Sequence, residues 1–462
     1  MMRYLLNICY VLVLIALSPF LVYAAIRKGK YREGLGQKFF GLVPDLPTAT
    51  NKRIWFHAVS VGEVNLLVPI LEKLRASSPN IEIVVSTTTK TGYKLAKKKF
   101  SEEGVCYFPL DFSWAVEATL RRLKPDLIVL VELELWPNLL TISHRHGIPV
   151  AIVNGRLSDR STRGYLRLGS LMRSWARCIS AVGAQSPTCA ERFVRLGVPS
   201  NRVVCTGSIK FDGAKTDRQN EATRRIQQLA NIPSVGAQVF VAGSTQAPEE
   251  QYAIEAYKKL RTKFSDLRLI LVPRHPERGE EVARLLAQSN VSWARRTEIS
   301  EFKPVDDQKV LLVDTVGELG GCWGCADVGF VGGSMGKRGG QNMLEPAGFG
   351  VATCFGPKTR NFRDVVELLL SEDAAVVVTD SDSMTQFVDR CLGDADYRTE
   401  IGRRAQRVVQ SQRGATDTTI QMLGILLEGV DVEFSEHLNV QTDNFAGLRY
   451  PNAAIKRARR SA

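Results

Sequence analysis

The sequence predicts an α/β protein of two similar halves, each built on a parallel sheet, carried behind an amino-terminal membrane anchor. From residue 53 onward, short β-rich runs alternate with amphipathic stretches, which is the rhythm of βαβ units. Those runs are apolar on both faces, as strands buried inside a parallel sheet must be. A polar, charge-rich span beginning at Ala214 and ending near Gln238 breaks the rhythm, which then restarts. At 462 residues the chain has room for two domains of ordinary size.

Taken in order, residues 4–26 form an uncharged, mostly apolar run of 23, about the length that spans a bilayer. Arg27, Lys28, Lys30 and Arg32 follow it, against Arg3 alone before it, so the positive-inside rule places the remainder in the cytoplasm. Val22-Tyr23-Ala24 resembles a signal cleavage site, but the run exceeds the usual ~7–15-residue signal core. Residues 1–26 are therefore expected to be a retained anchor, and 27–213 the first domain. RIWFHAVS, IEIVVSTTT, DLIVLVEL, IPVAIVN and CISAVGAQS read as its strands, and NLLVPILEKLRA and TGYKLAKKKF as helices. The polar span 214–237 is expected to be a linker. The second domain, 238–428, has QVFVAGST, LRLILVP, KVLLVDT, DVGFVGGS, VATCFG and AAVVVTD as strands, with helices filling 384–428. Residues 429–462 lack periodicity, end KRARR, and read as a solvated basic tail suited to lipid headgroups.

The net charge of +13 implies an anionic partner: nucleic acid, acidic lipid or a phosphorylated substrate. Nine scattered cysteines argue against a disulfide framework and for a reducing compartment. Cys322-Trp323-Gly324-Cys325 has metal spacing but no second pair nearby, so packing is the simpler role. Asp380-Ser381-Asp382 reads as a helix cap, and the five histidines are dispersed, so no metal is expected.

In open α/β sheets ligands bind beyond the carboxyl ends of the strands, and the unusual residues here sit at those ends. The most informative stretch is VGFVGGSMGKRGGQNMLEPAGFG, residues 328–350, which reads as strand, loop and helix. Six glycines fall between Gly329 and Gly340, with Lys337 and Arg338 among them. Such a loop lets backbone N–H groups approach a phosphate, and a helix capped by Asn342 would aim its positive end at the same place. The spacing fits neither a dinucleotide-binding fingerprint nor a P-loop. Ser60-Val61-Gly62-Glu63, Thr315-Val316-Gly317-Glu318 and Asn342-Met343-Leu344-Glu345 each also fit a capping box, a purely structural reading of all three glutamates. Their company is Glu132 and Glu134 in VELELWPN, Lys210 in CTGSIKFD and Arg274 in VPRHPER.

HAVSVGEV, ELELWPN, NGRLSDRS, TGSIKFD, VPRHPER, DTVGEL and FVGGSMGKRGGQNMLE, in this order behind an anchor, resemble the 3-deoxy-D-manno-octulosonic acid (Kdo) transferases of lipopolysaccharide synthesis. The resemblance runs from residue 1 to about 428. It implies a GT-B fold, two Rossmann-like domains facing a cleft, and inverting transfer of Kdo from CMP-Kdo to a lipid A precursor (lipid IVA) at the inner membrane, without nucleic acid and without a cofactor. It places the general base on Glu63 and transition-state stabilisation on Glu132 and Lys210. CMP contacts fall on Pro273 and Arg274, on Val316, Gly317 and Glu318, and on Asn342, Met343, Leu344 and Glu345. A carboxylate can accept a proton from an attacking hydroxyl, and cations offset charge on the departing phosphate. Because Glu63 falls at a helix start, its carboxylate is expected to stay ionised and so be a weaker base. Gln246 stands where the family often has His, and Met343 and Pro346 where Pro and Ala are common. A GT-B transferase using another nucleotide sugar, or a tethered nucleotide-binding protein without activity, are the competing readings; the pairing of SVGEV with ELELWPN argues against the first.

Overall fold

The structure, a computed structural model, describes residues 2–28, 32–47, 51–101, 103–233, 236–299 and 308–429. It separates into two units: one runs to Gly213 and is rejoined by the chain from Arg413, the other is Ala214–Gln412. The first unit holds strands β1 (Arg53–His57), β2 (Glu82–Thr87), β3 (Gly104–Tyr107), β4 (Leu127–Val131), β5 (Val150–Gly155), β6 (Ala181–Ala184) and β7 (Val203–Cys205). They form one parallel sheet in the order β3-β2-β1-β4-β5-β6-β7. The chain builds outward from β1 in one direction, then returns to β4 and builds outward in the other. The gap between β1 and β4 is thus the switch point where such sheets open a crevice. Side chains alternate across β1: Ile54 and Phe56 enter one core and Trp55 the other, so both faces of the sheet are sealed by helices.

The second unit repeats the plan with β8 (Gln238–Thr245), β9 (Leu267–Pro273), β10 (Trp293–Arg295), β11 (Val310–Leu312), β12 (Val328–Val331), β13 (Ala352–Phe355) and β14 (Val376–Val377). Their order is β10-β11-β9-β8-β12-β13-β14, all parallel, with the switch point between β8 and β12. The expected α/β class and the two parallel sheets are what the structure contains. Strands β3, β7 and β10 are absent from the runs read above as strands. Each is short and at a sheet edge, where one neighbour suffices and little apolar sequence is required.

Two expected boundaries are corrected. The span 214–237 is not a free linker: it contains the helix Glu221–Leu229, which packs so closely on the helix Leu319–Cys325 that a Cβ on Gly321 or Gly324 would collide with Ala222 or Thr223. Nor does the second domain reach 428. The helix Ala415–Glu428 belongs to the first unit, where Met422 and Leu423 enter the core and the Asp212 carboxylate accepts from the N–H groups of Gly414 (2.8 Å) and Thr416 (2.6 Å). The tail expected from 429 onward lies outside the described residues after Gly429.

The expected anchor is a single helix, Met2–Lys28. Most of its apolar side chains are exposed, and it is long and apolar enough to cross a membrane. One polar stripe is not exposed. Asn7 is buried, donating to Ser113 Oγ (2.7 Å) and accepting from Ser113 N (3.1 Å) and Asn138 Nδ2 (3.2 Å). Tyr10 donates to Asp111 Oδ2 at 2.9 Å, so one face of the helix is docked on the first unit.

Candidate active site

At the carboxyl end of β1 the chain turns into the helix Val61–Ser77, whose first turn carries Glu63. The capping role is real but shifted. Glu63 Oε2 accepts from Val59 N–H (2.8 Å) rather than from Ser60 N–H, and Oε1 accepts from the Ser60 hydroxyl (2.9 Å). Burial pushes the Glu63 pKa up, and Glu132 adds to the rise; the hydrogen bonds and Lys210 oppose it without reversing it. The expectation of a weakened base is thereby corrected: loss of water outweighs the helix end, and the carboxylate binds a proton more tightly than a free glutamate.

Glu132 follows β4 directly, across the switch point. Its φ is +63°, a left-handed conformation that a non-glycine residue adopts at a cost of order 1–3 kcal/mol unless its surroundings hold it. Its N–H donates to Val153 O at 2.9 Å, which fixes the peptide and turns the side chain out of the strand path. Lys210 Nζ lies 3.5 Å from Glu132 Oε1, although β7 and β4 are three strand positions apart. The loop after β7 explains this. Thr206 and Gly207 donate to Ala184 O, and Ile209 N–H donates to Asn154 Oδ1 at 3.1 Å, so the loop runs back across the strand ends and delivers Lys210 to Glu132. Glu63, Glu132 and Lys210 are therefore one cluster within one unit.

Glu134 belongs with them and was not among the expected catalytic residues. Burial first, then Glu63, pushes its pKa up to about 7, and Tyr165 lies close enough to feel its charge. The available signal was the ELEL alternation, since residues two apart in an extended segment point to one side. A folded pKa raised above the ordinary value means that the native state holds this proton more tightly than the unfolded one. The stabilisation is complete below the unfolded pKa of about 4.5 and is lost as pH rises through about 7. Glu134→Gln is accordingly expected to gain melting temperature relative to the native protein as pH goes from 5 to 8. A difference between the two curves that does not change with pH would sink this assignment.

In the second unit the expected residues occupy loops at the carboxyl ends of β9, β11 and β12. Pro273 closes β9 and is buried, and Arg274 next to it is exposed, with no ion pair among the described residues. Val316 is 84% exposed, an isolated apolar side chain beside Gly317, whose φ of +95° favours glycine. Glu318 is occupied: Arg296 Nη2 pairs with it at 2.8 Å and the Thr315 hydroxyl donates to its other oxygen. The helix here starts at Leu319, so Thr315 is not its cap.

The expectation for Asn342 is also corrected. The helix spans only Leu344–Gly348; Asn342 Oδ1 accepts from Leu344 N at 3.1 Å and its Nδ2 donates to Glu345 Oε1 at 3.1 Å. Met343 and Leu344 are buried, leaving only their backbone available to a ligand. Burial raises the Glu345 pKa, while Asn342, Arg274 and Lys215 pull it down, so Arg274 and Glu345 share a neighbourhood. The glycine loop departs most from expectation. The N–H groups of Gly333, Ser334 and Met335 all donate to the carboxylate of Glu249, at 2.7, 2.8 and 2.9 Å, and so do not await a phosphate. Glu249 gave no signal, because acidic residues at helix starts are commonplace. Among the described residues no group of three or more His, Cys, Asp or Glu could hold a metal ion.

Residues 33–213 match the family model described as 3-deoxy-D-manno-octulosonic-acid transferase (kdotransferase). The chain is 31% identical over 426 residues to the 3-deoxy-D-manno-octulosonic acid transferase of Haemophilus influenzae, covering 92% of this chain and 97% of that protein. Among solved structures, the C-terminal CMP-Kdo binding domain of WaaA from Acinetobacter baumannii is 31% identical, over 41% of this chain and 98% of that one, with a TM-score of 0.38. A glycosyltransferase from Rickettsia africae, 11% identical, covers 82% of this chain and all of that one with a TM-score of 0.55, a likeness of fold alone.

Proposed function

The chain belongs to the 3-deoxy-D-manno-octulosonic acid transferase family of glycosyltransferases, and on that premise we propose that it moves Kdo from CMP-Kdo to a lipid A precursor with inversion. The observation that carries the reading is the cluster of Glu63, Glu132 and Lys210 at the switch point of the first sheet. Glu63 takes the proton of an acceptor hydroxyl as the oxygen forms its bond to the anomeric carbon. The bond from that carbon to the phosphate oxygen breaks, and CMP departs with the electron pair. Lys210, held by Glu132, offsets negative charge on the sugar donor, whose own carboxylate and phosphate are both anionic. Pro273, Arg274, Val316, Gly317 and the backbone of Asn342, Met343 and Leu344 receive CMP, with Glu345 available to a ribose hydroxyl. Glu318 contributes only with the oxygen capacity that Arg296 and Thr315 leave free.

No metal or other cofactor is required in this scheme, because cationic side chains answer the phosphate. One assay tests the whole: purified protein, CMP-Kdo and lipid IVA with excess EDTA, products resolved by mass. The expected product is the acceptor plus Kdo, formed at the same rate with or without chelator; an unmodified acceptor overturns the reading.

Arg274→Ala is expected to weaken CMP binding by about 1.5–3 kcal/mol, the worth of a charge-assisted hydrogen bond. Glu345→Gln is expected to weaken it less, since one oxygen still accepts. Calorimetric titration with CMP checks both, and native affinity in the two variants would return these residues to a structural role.

The helix Met2–Lys28 anchors the protein to the inner membrane, with the catalytic part on the cytoplasmic side. Its basic flank, Arg27 and Arg32 among it, supports that side. With Asn7 and Tyr10 docked, residues 11–26 are left, about 24 Å of helix in which Ala24 alone is buried, against a hydrocarbon core of about 30 Å. A complete single pass therefore requires those hydrogen bonds to release.

A further inference from the structure

The first turn of the helix Glu249–Leu260 carries two consecutive carboxylates that are both sealed from solvent: Glu249 is 1% exposed and Glu250 0%. Neighbouring helix positions point about 100° apart, so the two reach different loops. Glu249 Oε2 accepts from Gln246 N–H (2.8 Å) and Gly333 N–H (2.7 Å), and Oε1 from Ser334 N–H (2.8 Å) and Met335 N–H (2.9 Å). Glu250 pairs with Arg278, whose Nη2 lies 3.4 Å from Oε2 and also 2.8 Å from Glu281. Arg278 sits four residues beyond Arg274, in the turn after β9.

A bare carboxylate would be costly to bury, and four N–H groups converging on one compensate it. Three consecutive amides at a loop of this kind form a nest for an anion. Here the anion is part of the protein. Gly332 and Gly356 make room for the arrangement: a Cβ on Gly332 would strike Thr245 and Glu249, and one on Gly356 would strike Ser334.

Resting on the reading of this unit as the CMP site, we propose that Glu249 and Glu250 are its positioning residues, one fixing the glycine loop from beneath and the other fixing the turn that carries Arg274. The phosphate of the sugar donor is then held by Arg274 and the exposed rim of the loop at Lys337 and Arg338, and not by the amides of Gly333–Met335. Glu249 acts through the loop and touches no substrate.

Two measurements test this. Hydrogen exchange on the native full chain is expected to show the amides of Gly333, Ser334 and Met335 protected before CMP is added and unchanged by it. Added protection at these three on CMP binding would overturn the proposal. In Glu249→Gln an NH2 group replaces one oxygen and opposes two of the four N–H groups, so CMP affinity is expected to fall about 10-fold or more. The KM for CMP-Kdo should rise in step while the acceptor KM stays near native, a split that general destabilisation does not produce. Glu250→Gln, in which Arg278 keeps Glu281, guards against a variant that fails to fold; its expected loss of CMP affinity is about 3- to 10-fold. CMP affinity within twofold of native in the folded variants, measured well below their melting temperatures, reduces both glutamates to braces. Failure of the native protein to bind CMP would instead remove the site reading itself.

Discussion

Glu63→Gln is expected to lower turnover by about 100-fold or more while leaving the protein folded, the usual cost of losing a general base. The local structure explains why the two effects separate. Native Glu63 receives one hydrogen bond from Val59 N–H and one from the Ser60 hydroxyl. A glutamine keeps a carbonyl oxygen for Val59, and the Ser60 hydroxyl can rotate to accept from the new NH2 group, so both local contacts survive. What disappears is the ability to take a proton. CMP affinity should stay near native, because the proposed CMP contacts all belong to the second unit. Paired measurement of turnover and melting temperature decides the matter; full activity in a normally melting variant would exclude Glu63 as base and leave Glu132 or Glu134 as the next candidate.

Lys210→Met is expected to cost about 100- to 1,000-fold in kcat, the range seen when one charge-stabilising group is removed from a transition state. The methionine keeps the length of the stem and removes only the charge. Because Lys210 lies 3.5 Å from Glu132, the change also strips Glu132 of its counter-ion and leaves three carboxyl groups, Glu63, Glu132 and Glu134, sharing one region. Their mutual repulsion then favours added protons, so the activity that remains should move its optimum to higher pH, where the base regains its charge. Lys210→Arg, which restores a cation, should recover part of the rate. An unshifted optimum and near-native kcat in Lys210→Met would show that this lysine serves the loop rather than the reaction.

The legibility of the two sheets has a simple cause. A strand buried on both faces must be apolar at nearly every position, so LIVLV in β4 and VGFV in β12 announce themselves without context. Edge strands such as β3 and β10 carry no such demand, and the helix Glu221–Leu229 was hidden because its polar face dominates the composition of the span around it. Several catalytic candidates were legible for a related reason. A charged residue at the end of an apolar strand, as with Glu132, has little packing role there and stands out.

The sequence by itself determined the α/β class, the two parallel sheets, the apolar amino-terminal helix and, through its ordered motifs, the family. Each of these depends on local periodicity or on short stretches whose meaning does not change with distant partners. Only the tertiary structure decided which groups share a site and which amides are free. Lys210 reaches Glu132 because a loop tethered to Asn154 folds back over two strand ends, and no spacing in the chain encodes that path. The glycine loop's amides are taken by Glu249, some 85 residues earlier in sequence. Glu63 is made a tighter proton binder by burial and by a neighbouring carboxylate, both set by the fold, against the pull of its own helix end. Hydrogen bonds and desolvation depend on position in space, and long-range closure brings those positions together only once the sheets have formed.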